Sequence, residues 1–84
     1  AEARFNLASA CERSGDETRA IATYREVIQA DPTMVLAQYR LGLLLAKRGD
    51  PDAATRALTE AARLRPNDSK IAEALRSITG TKPQ

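Results

Sequence analysis

The sequence of 84 residues has no histidine and a single cysteine, Cys11. Because the chain has no histidine, a serine or cysteine nucleophile would lack its commonest proton acceptor, and a zinc ion would lack one of its usual ligands. A lone cysteine forms no internal disulfide and is most often a buried packing residue. Glu12 and Asp16 are more simply explained as a solvated face and a helix cap than as metal ligands. We therefore expect no enzyme activity and no metal site.

Glycines are equally sparse and do not cluster. They stand alone at Gly15, Gly42, Gly49 and Gly80, so the chain has no glycine-rich loop that could cradle a phosphate. Helix termination and close packing explain these positions. We expect no bound cofactor.

Long apolar runs and blocks of one charge are also missing. The longest apolar stretch, residues 41–46, is far shorter than the ~20 residues that a bilayer span needs. Thirteen basic and eleven acidic residues are interspersed, whereas nucleic-acid binding uses a concentrated basic face. We expect neither membrane insertion nor nucleic-acid binding. No signal-type segment opens the chain, so we expect a cytoplasmic protein. Because Ala1 already stands inside a periodic pattern, an address signal can lie upstream of it, and the periplasm stays open. The excess of Arg over Lys is typical of GC-rich bacterial genomes.

What the sequence does contain is an internal repeat of about 34 residues, a period typical of stacked repeat architectures. Seven residues recur at this spacing: Ala3, Leu7, Gly15, Asp16, Ala20, Glu26 and Pro32 return as Ala37, Leu41, Gly49, Asp50, Ala54, Glu60 and Pro66. Leu75 continues the series of Leu7 and Leu41.

Within each repeat the apolar residues have helical spacing, interrupted at Gly15-Asp16 and Gly49-Asp50. Glycine can adopt the left-handed conformation that closes one helix, and aspartate can cap the next. The residue before a proline is driven out of helical geometry, so Pro32 and Pro66 mark further helix ends. The sequence predicts five helices, over 2–14, 17–30, 34–48, 51–64 and 68–79.

These positions resemble two consecutive tetratricopeptide repeats. The resemblance rests on Leu7-Ala8, Cys11, Gly15-Asp16, Ala20, Tyr24, Val27 and Asp31-Pro32, and on Leu41-Gly42, Leu45, Gly49-Asp50, Ala54, Leu58, Ala61 and Pro66. Two departures are that Arg4 and Gln38 replace a large aromatic residue and that Cys11 and Leu45 replace a core tyrosine. The resemblance implies an all-α fold, a right-handed α-solenoid of antiparallel helix hairpins. We predict one domain over residues 1–79, with repeats at 1–34 and 35–68, a capping helix at 69–79, and a tail at 80–84.

The two ends of the predicted array differ. Arg76 replaces the small residue that would admit a following helix, so we expect the array to stop there, with Gly80 closing the last helix. In the first helix, Ala3, Leu7 and Ala10 form an apolar outer face. We expect further helices upstream, or self-association through this helix.

In stacked helix hairpins the first helix of each pair lines a concave binding surface. The repeat register places twelve residues there: Phe5, Ser9, Glu12, Arg13, Leu36, Tyr39, Arg40, Leu43, Lys47, Lys70, Glu73 and Ser77. Phe5, Leu36, Tyr39 and Leu43 would form an apolar strip edged by Arg40, Lys47 and Lys70. That Phe5 and Tyr39 only fill gaps between neighbouring repeats stays an open alternative.

The sequence thus predicts a non-catalytic module that binds a peptide or helix of a partner protein, preferably one with apolar and acidic residues. Some tetratricopeptide domains clamp a terminal carboxylate, but of the corresponding positions only Lys70 agrees, so that mode is not predicted. Two alternatives remain open: a self-assembly element of a larger repeat protein, and a regulatory segment of a fused enzyme.

Overall fold

A computed structural model of the chain describes residues 2–79. This part of the chain consists of five α-helices joined by short turns and contains no β-strand. The helices are α1 (Glu2–Arg13), α2 (Glu17–Ala30), α3 (Val35–Lys47), α4 (Pro51–Leu64) and α5 (Ser69–Thr79). The predicted all-α helical repeat is confirmed.

Four residues predicted to be helical lie just outside the helices. Met34 has an extended backbone, with φ −77° and ψ 93°, and serves as the residue before α3. Asp68 caps α5 instead of belonging to it, since its Oδ1 accepts a hydrogen bond from the backbone N–H of Lys70 at 2.9 Å. Ser14 and Arg48 already belong to the turns that follow α1 and α3.

The two predicted Gly-Asp breaks are confirmed. Gly15 and Gly49 have φ of +91° and +86°, values that side-chain-bearing residues rarely adopt. Asp16 and Asp50 follow, and each carboxylate accepts a hydrogen bond at 3.2 Å from the backbone N–H three residues along. Gly80, predicted to close the last helix, lies outside the described residues, as does the tail at 80–84.

Small side chains fill the places where helices approach one another. The fully enclosed alanines are Ala8, Ala20, Ala37, Ala54 and Ala61. The approach of α3 to α4 is close at Gly42, where an added Cβ would lie 2.6 Å from Cγ of Leu58. Tyr24 and Val27 are fully buried in the other hairpin, and Cys11 is buried as predicted.

The helices pack in chain order: α1 with α2, α2 with α3, α3 with α4, and α4 with α5. In addition α3 contacts α5, so α3 is the helix that packs against the most neighbours. No helix within residues 2–79 combines the length and the apolar character that crossing a bilayer requires.

Candidate protein-binding surface

Two neighbouring surface pockets lie beside the N-terminal ends of α1, α3 and α5. The first, of about 420 Å³, is lined by Glu2, Phe5, Asn6, Met34 and Leu36. The second, of about 310 Å³, is lined by Val35, Leu36, Tyr39, Arg40, Arg65, Asp68, Lys70 and Ile71. Because Leu36 lines both, the two pockets form one continuous surface, named here the Leu36 groove.

Leu36 has the character of a contact residue. It is 54% exposed, more than any other large hydrophobic side chain of residues 2–79; Leu7 follows at 45%. An apolar side chain held in water gains from being covered, in proportion to the apolar area removed from solvent. Leu36 therefore offers an anchor at the centre of the groove.

Phe5 lies in the groove and packs against a residue of its own predicted repeat, so the alternative that it only fills a gap between neighbouring repeats stays open. It lines the groove, and its ring also packs edge-on against Tyr24, with 5.7 Å between ring centroids and 61° between ring planes. Tyr39 is half-buried and lines the groove as well.

The charge that the groove offers to a ligand comes from two cations. Arg65 and Lys70 form no ion pair within residues 2–79. Asp68, the acidic residue beside them, accepts hydrogen bonds from backbone N–H groups at the start of α5. The α5 end of the groove therefore has positive side chains free to meet a carboxylate.

Arg40, the third cation of the groove, is engaged within the chain. Its Nη2 lies 3.0 Å from Oε2 of Glu12, and its Nε donates to Oε1 at 3.3 Å. Oε1 of Glu12 also accepts a 2.9 Å hydrogen bond from the Tyr24 hydroxyl, which lies 3.2 Å from Oγ of Ser9. The interpretation of Glu12 as part of a solvated face is wrong, because partners from α2 and α3 enclose it.

This polar cluster alters the acidity of its phenol. Burial of the ring raises the pKa of Tyr24 above its ordinary value, the hydrogen bond with Ser9 partly opposes the shift, and the bond to Glu12 adds to it. Like any phenol it is protonated at neutral pH, and it donates its hydrogen to Glu12.

Lys47, predicted at the edge of the strip, is also paired. Its Nζ lies 2.7 Å from Oε2 of Glu17, and that hydrogen bond raises the pKa of Lys47. Nη1 of Arg48 lies 3.9 Å from the other carboxylate oxygen. Both cations tie the end of α3 to the start of α2 and do not line the Leu36 groove.

The structure brings together five of the twelve predicted site residues in the groove: Phe5, Leu36, Tyr39, Arg40 and Lys70. Ser9 and Glu12 belong to the Tyr24 cluster, and Leu43 is half-buried outside the pocket linings. Arg13, Glu73 and Ser77 are exposed and line neither pocket.

Sequence reasoning missed seven groove residues: Glu2, Asn6, Met34, Val35, Arg65, Asp68 and Ile71. Most of them lie at helix starts or in the turns before them. The signal that could have found them is adjacency, because Met34 and Val35 directly precede Leu36, and the Arg65–Asp68 turn directly precedes Lys70.

The chemistry of this surface suits binding to another polypeptide. It joins an apolar centre to cationic side chains, and aromatic and arginine residues beside apolar pockets are common interface anchors. Within residues 2–79, no three Cys, Asp or Glu side chains come together in a way that could hold a metal ion.

Comparison with known proteins shows which proteins this chain is similar to. A family model described as tetratricopeptide repeat (TPR) matches residues 12–78. The C-terminal TPR-containing domain of a Plasmodium falciparum protein, whose name assigns it to the FK506-binding proteins, is 28% identical with a TM-score of 0.80 over 92% of this chain. This chain spans about half of that structure, 51% of its length.

A second structure, the tetratricopeptide repeat domain protein from Salinibacter ruber solved by solution NMR, has the same fold. It has a TM-score of 0.84 at 22% identity, and the match covers 98% of this chain and 89% of that one. Among curated protein sequences no match was found.

Proposed function

Because the chain belongs to the tetratricopeptide repeat family, we propose that it is a non-catalytic module that binds a peptide or helix of a partner protein in the Leu36 groove. Domains of this family generally mediate protein–protein interaction, and the family is typically non-catalytic. The groove adds to this general role a particular surface and a particular ligand chemistry.

The observation that carries the proposal is the position of Leu36. It is the most exposed large apolar side chain of residues 2–79 and stands between two pockets that are each large enough for a side chain. A ligand that covers Leu36 can insert one side chain into each pocket. Side chains that fill desolvated pockets provide most of the binding energy at protein interfaces.

The groove also favours ligands with acidic groups. Arg65 and Lys70 lack partners of their own, so a ligand carboxylate near α5 would gain a charge-assisted contact. These side chains lie at the surface, where salt screens charge, so binding should weaken as the ionic strength rises.

The test is selection from a displayed library of random peptides, with the affinities of the selected sequences measured by fluorescence anisotropy. We expect the retained sequences to combine apolar and acidic residues, and Leu36→Asp to weaken binding by about tenfold or more. Leu7→Asp is the matched control, because Leu7 is similarly exposed but lines neither pocket. Equal affinities for the wild type and Leu36→Asp would contradict the groove assignment.

Self-association is the second candidate function, and one observation favours it. Ala3, Leu7 and Ala10 are all exposed on α1, as the sequence predicted. Covering this face with a second copy would remove apolar surface from water. A regulatory role beside a fused enzyme stays a prediction.

A further inference from the structure

A third surface pocket, of about 380 Å³, lies between α2 and α4 with α3 at its base. Ile28, Leu41, Leu45 and Ala57 form its apolar lining, and Gln38 provides a polar group. It is named here the Gln38 pocket. None of its residues lines the Leu36 groove.

The Gln38 pocket and the Leu36 groove use opposite faces of α3. At 3.6 residues per turn, Gln38, Leu41 and Leu45 point to one side of the helix. Leu36 and Tyr39 point to the other side. The two surfaces can therefore bind separate ligands.

The amide of Gln38 is the unusual group of this pocket. The residue is only 6% exposed, yet its side chain forms no hydrogen bond within residues 2–79. No fully enclosed side-chain nitrogen or oxygen in this part of the chain lacks a partner, so the amide must reach solvent. The amide reaches solvent through the Gln38 pocket, which it lines. Water therefore meets the amide in the pocket, and a guest that displaces this water must bring hydrogen-bonding groups of its own.

The rim of the pocket is positively charged. Arg25 and Arg56 line it, and neither forms an ion pair within the described residues. Glu60 also lines it, but its carboxylate is engaged by Arg63, with 2.9 Å between Nη2 and Oε1. The charge left for a guest is therefore that of two guanidinium groups, which complement carboxylates.

We propose that the Gln38 pocket receives a tyrosine or tryptophan side chain from an acidic segment of a partner protein. The ring covers the apolar lining, its hydroxyl or indole N–H pairs with the Gln38 amide, and neighbouring carboxylates meet Arg25 and Arg56. A phenylalanine or leucine would displace water from the amide without replacing its hydrogen bonds, and such a loss opposes binding.

The experiment titrates ¹⁵N-labelled protein with three short peptides, each acetylated and amidated. One has a tyrosine flanked by aspartates and glutamates, the second has phenylalanine in its place, and the third keeps the tyrosine but carries asparagines and glutamines. We expect the first to shift the Gln38 side-chain amide signals saturably. The phenylalanine peptide should bind about tenfold more weakly, because one hydrogen bond is lost. The neutral peptide should also bind more weakly, and its binding should depend less on salt.

Variants separate this pocket from the Leu36 groove. Gln38→Leu should bind the tyrosine and phenylalanine peptides equally. The double variant Arg25→Gln/Arg56→Gln should lose the preference for the acidic peptide, whereas Arg19→Gln, which changes an exposed arginine of α2 outside the pocket, should keep it. Leu36→Asp should leave all three titrations unchanged, so a failure of the groove proposal would not disturb this one.

Three results would overturn the proposal. The first is equal affinity of the wild type for the tyrosine and phenylalanine peptides. The second is a tyrosine preference that survives Gln38→Leu, measured with folding of the variant verified by circular dichroism. The third is a set of shifts centred on Leu36 and Tyr39 rather than on Gln38. If Gln38→Leu does not fold, the exposed Arg25 and Arg56 substitutions decide by whether the acidic preference disappears.

Discussion

Arg40 of α3 contacts Glu12 of α1 through two nitrogens, with 3.0 Å between Nη2 and Oε2 and 3.3 Å between Nε and Oε1. The pair connects the first helices of the two predicted repeats, and Glu12 also receives the Tyr24 hydroxyl. One carboxylate therefore links α1, α2 and α3. The charge of Arg40 helps to hold the hairpins together and is less available to a ligand than that of Arg65 or Lys70.

We predict a measurable coupling between these two side chains. In a double-mutant cycle with Glu12→Gln and Arg40→Gln, the interaction should contribute about 0.5–1 kcal/mol to the free energy of unfolding. The magnitude is modest because the Arg40 side chain is 40% exposed. Urea denaturation at low and high salt measures it, and the coupling should shrink with added salt. Strict additivity of the two substitutions would show that the contact does not stabilise the fold.

Tyr24 should make stability depend on pH in the alkaline range. Burial raises the pKa of its phenol, so the folded chain holds this proton to a higher pH than the unfolded chain. The stabilisation that the protonated phenol gives to the folded state is complete below the ordinary phenol pKa of about 10, and it is lost as the pH rises through the pKa of the folded state. Tyr24→Phe should cost about 1 kcal/mol at pH 7, because the hydrogen bonds to Glu12 and Ser9 are lost.

The measurement is urea denaturation between pH 8 and 11. The stability difference between the wild type and Tyr24→Phe should narrow above pH 10, and other titrating groups such as Lys47 cancel in that difference. If the stability difference between the wild type and Tyr24→Phe stayed constant from pH 8 to 11, the claim that folding raises the pKa of Tyr24 would be contradicted.

Gly42→Ala should destabilise the fold although alanine is the better helix former. An added Cβ would lie 2.6 Å from Cγ of Leu58, and overpacking of this kind costs about 1–3 kcal/mol. The gain in helix propensity is about 1 kcal/mol, so we expect a net loss of about 1 kcal/mol. In a Leu58→Ala background the same substitution should become stabilising. Thermal unfolding of the wild type, the two single variants and the double variant measures whether the effect of Gly42→Ala on stability changes sign. Sucrose is added to keep the weaker variants folded.

The exposed face of α1 predicts self-association. In sedimentation equilibrium the average mass should rise with protein concentration, and Leu7→Asp should abolish this rise because it places a charge on the apolar face. Leu36→Asp is the matched control and should leave the association intact. A chain that is monomeric at every concentration would count against the prediction.

Local features of the fold could be predicted from the sequence because their causes are local. The Gly49-Asp50 dipeptide places a left-handed residue directly before a helix cap, so the break between α3 and α4 follows from two adjacent residues. Tyr24 and Val27 are likewise separated by a helical spacing in the sequence, and both are fully buried in the structure. The predicted repeat boundaries at 34 and 68 stay a prediction.

The contacts of the candidate site could be predicted only in part, because they join distant parts of the chain. Glu12 and Arg40 are 28 residues apart, and no spacing rule shows that a long arginine side chain will turn back to α1 rather than face a ligand. Arg65 directly precedes Pro66, so the sequence indicates a helix end there and gives no sign that Arg65 also lines a pocket. The deep position of Gln38 depends on how α2 and α4 pack on either side of α3, which spacing along the sequence does not specify.

The central position of α3 has one more consequence. This helix packs against α2, α4 and α5, and it supplies residues to both the Leu36 groove and the Gln38 pocket. A ligand in the Leu36 groove that tilts α3 would change the width of the Gln38 pocket, and a ligand in the Gln38 pocket would do the same to the groove. Thermodynamic reciprocity then requires that whatever the first guest does to the affinity of the second, the second does equally to the first.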